Sequence, residues 1–117
     1  SFGPVWVRDQ TEPTAVAVGA DGLPAEYALE SSYPNPFNAS TVVPLVVPNH
    51  AGNIVVRNYN GLGQSVRTLP AGGMKPGRVQ LVWDGRDDRG QELASGVYLI
   101  RMEAPEFAAV QRAVLLR

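Results

Sequence analysis

Asp84, Asp87 and Asp88 follow Trp83 closely, interleaved with Arg86 and Arg89 and flanked by Gly85 and Gly90. Carboxylates this close in sequence could donate oxygens to Ca²⁺, which takes about six to eight hard ligands from a flexible loop. The spacing departs from an EF-hand, because Arg86 stands where a second carboxylate would sit. The alternative is structural: Asp84 and Asp88 accept hydrogen bonds from nearby backbone N–H groups, while Gly85 and Gly90 supply positive φ for turns. The turn is the preferred reading. An acid/base pair would need two carboxylates in contrasting environments, and the interleaved arginines keep all three ionised. No catalytic residue, metal or cofactor is expected here.

The remaining candidates for chemistry are thin. His50, the only histidine, lies in "VPNHAG" and reads as a solvated turn residue. Without cysteine or a second histidine, a protein zinc site is nearly excluded. "NGLG", Asn60 to Gly63, has neither GxGxxG nor a following Lys-Ser/Thr, so it reads as a hairpin turn rather than a phosphate loop. "NAS", Asn38 to Ser40, is formally a glycosylation sequon and is given little weight. Lys+Arg 10 against Asp+Glu 11, scattered, leaves no basic footprint for nucleic acid or polybasic membrane patch.

Glycine and proline punctuate the chain between short runs rich in Val, Leu and Tyr, the spacing of an antiparallel sandwich or barrel. The runs that read as strands are Tyr27–Glu30, Thr41–Val47, Asn53–Tyr59, Ser65–Leu69, Arg78–Trp83, Val97–Glu103 and Ala108–Leu116. No stretch carries a helical period. Alternation puts Ile54, Val56 and Asn58 on one face of the third run, and Val79, Leu81 and Trp83 on one face of the fifth. Pro44 cannot donate to a ladder, which predicts that the second run is an edge strand or carries a bulge.

One core is expected from this length. Residues 1–26 read as an N-terminal arm or linker, the end of a preceding domain or a donated strand; residues 27–117 read as the domain. Because the chain begins at Ser1 rather than Met, it reads as a processed or excised piece of something longer.

"YALESSYPNPFNAST", "VRNYNGLGQSVRTL", "VWDGRDDRGQELASGVYLIRMEA" and "QRAVLLR" occur in that order from Tyr27 to Arg117. Together they resemble the C-terminal sorting domain of proteins exported by the type IX secretion system of Bacteroidota. The "WDGRDD" to "SGVY" segment is also similar to the immunoglobulin-like domain of flagellar hook-capping proteins. The resemblance implies an all-β, seven-stranded antiparallel immunoglobulin-like sandwich. It also implies a non-catalytic role: recognition by the outer-membrane secretion machinery, passage through periplasm and outer membrane, and attachment of the cargo to lipopolysaccharide at the cell surface.

By resemblance, Tyr33, Pro34, Asn35, Pro36 and Phe37 match the opening motif, and Tyr59 and Gly63 the central hairpin. Trp83, Asp84, Gly85, Gly90, Ser95, Gly96, Val97 and Tyr98 match the long motif, which makes the acidic knot a connection between strands. Arg112, Val114, Leu115, Leu116 and Arg117 match the basic-then-aliphatic end, the segment expected to carry the translocon address. Its other reading is a central strand covered on both faces. Three departures stand out: Ala39 replaces the usual Pro after "PFN", Asn58 stands where an aliphatic residue is usual, and Arg112 holds a place often taken by Lys.

Two readings compete with export. One is a structural subunit of a surface assembly or filament, self-associating through strand donation by the N-terminal arm, with outer-face Val55 and Tyr59 meeting a partner. The other is a carbohydrate-binding module, for which the unassigned aromatics Trp6, Tyr27, Tyr33 and Phe107 form no evident platform.

Overall fold

The computed structural model describes residues 26–49 and 51–117. The expectations for the N-terminal arm, for its donation to a neighbour, for Trp6 and for His50 lie outside the described residues. The described chain folds as an all-β, immunoglobulin-like sandwich of seven strands in two antiparallel sheets. The strands are β1 (Ala28–Leu29), β2 (Thr41–Val47), β3 (Val55–Tyr59), β4 (Ser65–Leu69), β5 (Gly77–Trp83), β6 (Gly96–Ala104) and β7 (Phe107–Leu115). One sheet runs β1-β2-β5, the other β4-β3-β6-β7. Each strand falls within a residue or two of the run that predicted it.

Side-chain alternation builds the core. From the three-stranded sheet, Val43, Leu45 and Val47 of β2 are buried beside the half-buried Val79 and Leu81 of β5, and Trp83 ends the strand fully enclosed. The facing sheet contributes cross-strand rows: Leu69, Val56, Met102 and Ala109 form one, and Arg67, Asn58, Ile100 and Gln111 the next. Rows of this kind lock register, because a slip by one residue would turn every apolar side chain outward. The register shifts only where β3 meets β4, between Asn58 and Tyr59.

The expectation for Pro44 is corrected. β2 is the middle strand of its sheet, and its register with β5 runs unbroken from Thr41–Trp83 to Val47–Gly77. The Pro44 carbonyl accepts from Glu30 N at 2.9 Å, so the backbone polar groups of this residue face β1 rather than β5. With no N–H to return, Pro44 leaves that side of the ladder a donor short at the point where β1 stops. A central strand tolerates proline here because its neighbour has already ended. Side chains then straddle the outer face of β2: Arg78 reaches Glu30 through paired 2.8 Å contacts, and Gln80 Nε2 donates to the Tyr33 hydroxyl at 2.8 Å.

Asn58 is buried in the middle of the core with neither side-chain amide atom hydrogen-bonded. It occupies the inner face that alternation assigns it, opposite Ile100 and Arg67. An unsatisfied buried amide costs on the order of 1–3 kcal/mol. Replacing it by a hydrocarbon of similar volume removes that cost, so Asn58→Leu is expected to raise the unfolding free energy by about 1–3 kcal/mol in denaturant titration. A loss of stability would mean that the amide has a partner.

Candidate functional site

The opening motif, Tyr33–Phe37, and the expected address segment, Arg112–Arg117, meet on one surface. Asn35 joins them by imitating a strand. Its Nδ2 donates to the Arg112 carbonyl at 2.8 Å, and its Oδ1 accepts from Val114 N at 2.9 Å. Two residues on, Phe37 N donates to the Val114 carbonyl and Leu116 N to the Phe37 carbonyl, which makes a short parallel bridge between Phe37 and Leu115. The loop therefore covers the C-terminal half of the β7 edge, where backbone groups would otherwise stand unpaired. On its other side the loop is held by Thr41 Oγ1, which donates to the Pro34 carbonyl at 2.8 Å.

Tying down the tail sorts its side chains. Leu115 is buried under Phe37, while Leu116 points out, 53% exposed. Among the described residues β7 is an edge strand, so there the reading of this tail as a central strand covered on both faces does not hold. Val114 is half-buried on the outer face and Arg112 is exposed beside it. Arg117 is clamped to the β5–β6 loop: its N donates to Ser95 Oγ (2.8 Å), its Nε to the Leu93 carbonyl (2.7 Å) and its Nη2 to the Gly85 carbonyl (2.7 Å). Of the five expected address residues, Leu115 and Arg117 thus hold the structure together, and Leu116 is the apolar one presented to solvent.

Leu116 closes one side of a shallow, open groove whose other walls are Pro34, Pro36, Phe37 and Asn38. Phe37 is its floor, buried and packed on Trp83 with ring centroids 5.4 Å apart. No titratable side chain lines the groove. Its exposed lining is mixed, with the apolar side chains of Pro34, Pro36, Phe37 and Leu116 beside polar groups that include Asn38.

The acidic knot is a fully engaged turn. Asp84 Oδ1 accepts from Arg86 N and from Arg67 Nη1, at 3.1 and 3.2 Å. Asp87 Oδ1 accepts from Arg89 N and Gln91 N, both at 2.9 Å. Asp88 Oδ1 accepts from Thr68 N at 3.0 Å, and Asp88 N donates to the Val66 carbonyl, so the loop also covers the outer edge of β4. Gly85 (φ 71°) and Gly90 (φ 83°) adopt the left-handed conformation that makes these turns accessible. At Gly85 a Cβ would also stand 3.0 Å from Arg117 Nη2. The carboxylates diverge onto separate donors, and the described residues contain no cluster of acidic or histidine side chains able to hold a metal ion.

The other motif residues are structural in the same sense. The Trp83 indole N–H donates to the Arg86 carbonyl, and the Tyr98 hydroxyl donates to the Ala94 carbonyl at 2.6 Å. Burial pushes the Tyr98 phenol above its ordinary pKa, and the charge of Arg117 opposes that in part. Gly96 opens β6 opposite Leu115. Gly63 closes the β3–β4 hairpin, where its N–H donates to the Asn60 carbonyl and Asn60 Oδ1 accepts from Leu62 N and Gln64 N. Of the unassigned aromatics, Tyr27 and Phe107 stack on each other at 5.5 Å, and Tyr33 is spent on Gln80.

Arg67 is the residue sequence reasoning missed. It starts from the inner face of β4 and reaches Asp84 together with the carbonyl of Arg86, seventeen to twenty residues away in the chain. Nothing local to "SVRTL" signals such a reach.

The model of the FlgD Ig-like domain matches residues 35–106. The chain belongs to the FlgD Ig-like domain family. The match carries no catalytic family assignment. Among solved structures, the fold is similar to part of dimeric latent PorU from Porphyromonas gingivalis, with 21% identity and a TM-score of 0.63 over 77% of this chain and 9% of that one. It is similar too to part of PorZ, described as an essential bacterial surface component of the type-IX secretion system of the same organism. There the identity is 20% and the TM-score 0.53, over 76% of this chain and 11% of the other. The chain thus spans about a tenth of the length of either protein. No curated protein matches it in sequence.

Two outcomes follow from the geometry. Millimolar Ca²⁺ should leave the melting temperature unchanged, because a ligand raises it only by binding the native state. Asn35→Ala removes two hydrogen bonds to the β7 edge and should cost about 1–2 kcal/mol, with faster amide exchange at Val114.

Proposed function

We propose that this domain is a non-catalytic sorting signal that directs export of a cargo protein across the outer membrane by type IX secretion and its attachment at the cell surface. One observation carries the reading. The opening and closing motifs, about eighty residues apart, are joined by Asn35 beside a single groove on which the apolar Leu116 is held outward. The folds of PorU and PorZ, the latter a surface component of that secretion system, support the same assignment. In this reading the secretion machinery contacts the groove, and lipopolysaccharide is where the cargo is finally anchored.

Leu116→Asp tests the address without removing core atoms, since the side chain is already half-exposed. Fused to a secreted cargo, the wild-type domain should deliver it to the surface and the Leu116→Asp variant should leave it in the periplasm. Leu62→Asp, at the hairpin tip where Leu62 is 83% exposed, should export normally. Surface delivery of the Leu116→Asp fusion at the wild-type level would overturn the proposal.

A further inference from the structure

The Arg112 carbonyl, the Val114 N–H and carbonyl, and the Leu116 N–H all point away from β6, toward Asn35 and Phe37. Alternate residues of an antiparallel strand share that direction, so the N–H and carbonyl groups of Ala108 and Val110 point the same way. The covering loop does not reach them. Among the described residues nothing hydrogen-bonds to Ala108 or Val110 on that side, and β7 is the last strand of its sheet.

An open edge is ordinarily guarded by a lysine, a proline, a bulge or extreme shortness. β5, the other long edge, carries Arg78 and Gln80, which are engaged across β2. This half of β7 has no lysine, proline or bulge, and Arg112 is its one charged side chain: its register with β6 is unbroken and its sequence is "FAAVQRA". Val110 is 46% exposed, and Leu99 and Val97 continue an exposed apolar strip over β6. Arg112 lies within the strip, opposite Leu99 and between Val110 and Val114, with a guanidinium that has no ion-pair partner among the described residues, whereas Arg57 and Arg101 are both paired to Glu103.

We propose that the open half of β7 accepts an added strand from a partner protein, apolar where it lies beside Val110 and acidic where it lies beside Arg112. Backbone pairing with Ala108, Val110 and the Arg112 N–H supplies the attachment, and the apolar neighbour and the guanidinium select the sequence. The surface is distinct from the groove at Leu116 and does not depend on the export reading.

The test uses the chain as it stands and a short capped peptide alternating Glu and Val, with a Lys/Val peptide as the charge control. Amide exchange followed by NMR should slow about tenfold at Ala108, Val110 and Arg112 with the Glu/Val peptide and stay unchanged with the Lys/Val peptide. Val110→Pro, which removes an outward N–H that no strand of the fold uses, should abolish the slowing at Ala108 and Arg112. Arg112→Gln should erase the difference between the peptides, so the charge claim is tested even if the proline variant does not fold. Unchanged exchange with the Glu/Val peptide, or equal slowing by both peptides, would overturn the proposal. So would slowing that depends on protein concentration without peptide, which would make a second copy the occupant.

Discussion

Trp83 sits where both sheets and both long loops of the described chain converge. It is fully buried at the end of β5, with Phe37 of the first loop 5.4 Å away and Tyr98 of β6 at 5.5 Å, edge to face. Aromatic contacts of this geometry add to the large area each ring removes from water. The indole N–H, which would be costly to bury alone, is spent on the Arg86 carbonyl and so fixes the start of the acidic turn. Through Phe37 the same contact sets the floor of the groove, and through the turn it places the carbonyls of Gly85 and Leu93 that grip Arg117. The opening motif, the long motif and the C-terminal segment are therefore one packing unit.

Edge management is the second theme. A small open sandwich must deal with several exposed ladders. Here side chains do much of it by substituting for strands: Asn35 on the tail of β7, and Asp88 on β4. Arg67 then neutralises the turn that Asp88 belongs to, reaching Asp84 from below the sheet. What remains open on β7 is short and adjoins the apolar strip at Val97, Leu99 and Val110. An edge with unguarded backbone groups and a greasy flank is a surface for pairing.

The core carries polar costs. Asn58 has both amide atoms unpaired, and the Ser32 hydroxyl is buried without a partner. Both lie in elements joined to the covering loops or their supports: Asn58 beside Arg67 across β3–β4, and Ser32 next to Tyr33.

What the sequence determined by itself follows from short-range physics. Alternation placed Ile54, Val56 and Asn58 inside and Arg57 outside, because neighbouring strand residues must face opposite ways. Glycine and aspartate chemistry identified the turns at Gly63, Gly85 and Gly90 and Asp84 as a local cap, because those bonds close within a few residues, but the other local cap is Asp87, and Asp88, expected to cap a turn, accepts from Thr68 N twenty residues away. The sequence of β2 misled for the complementary reason. Whether Pro44 is tolerated in a strand depends on where the neighbour ends, and that is decided by β1 rather than by β2. The same holds at the site. "AVLLR" is apolar at Val114, Leu115 and Leu116 alike; alternation sets Leu115 and Leu116 on opposite sides, and the pairing of β7 with β6, together with the bridge from Leu115 to Phe37, decides that Leu115 is the one that goes in. Arg67 and Arg117 are long cations that could have been solvated anywhere; their roles exist only because folding brings unpaired carbonyls within reach. Local preference is written residue by residue, whereas pairing across the sandwich is a property of the assembled sheets, and no single segment contains it.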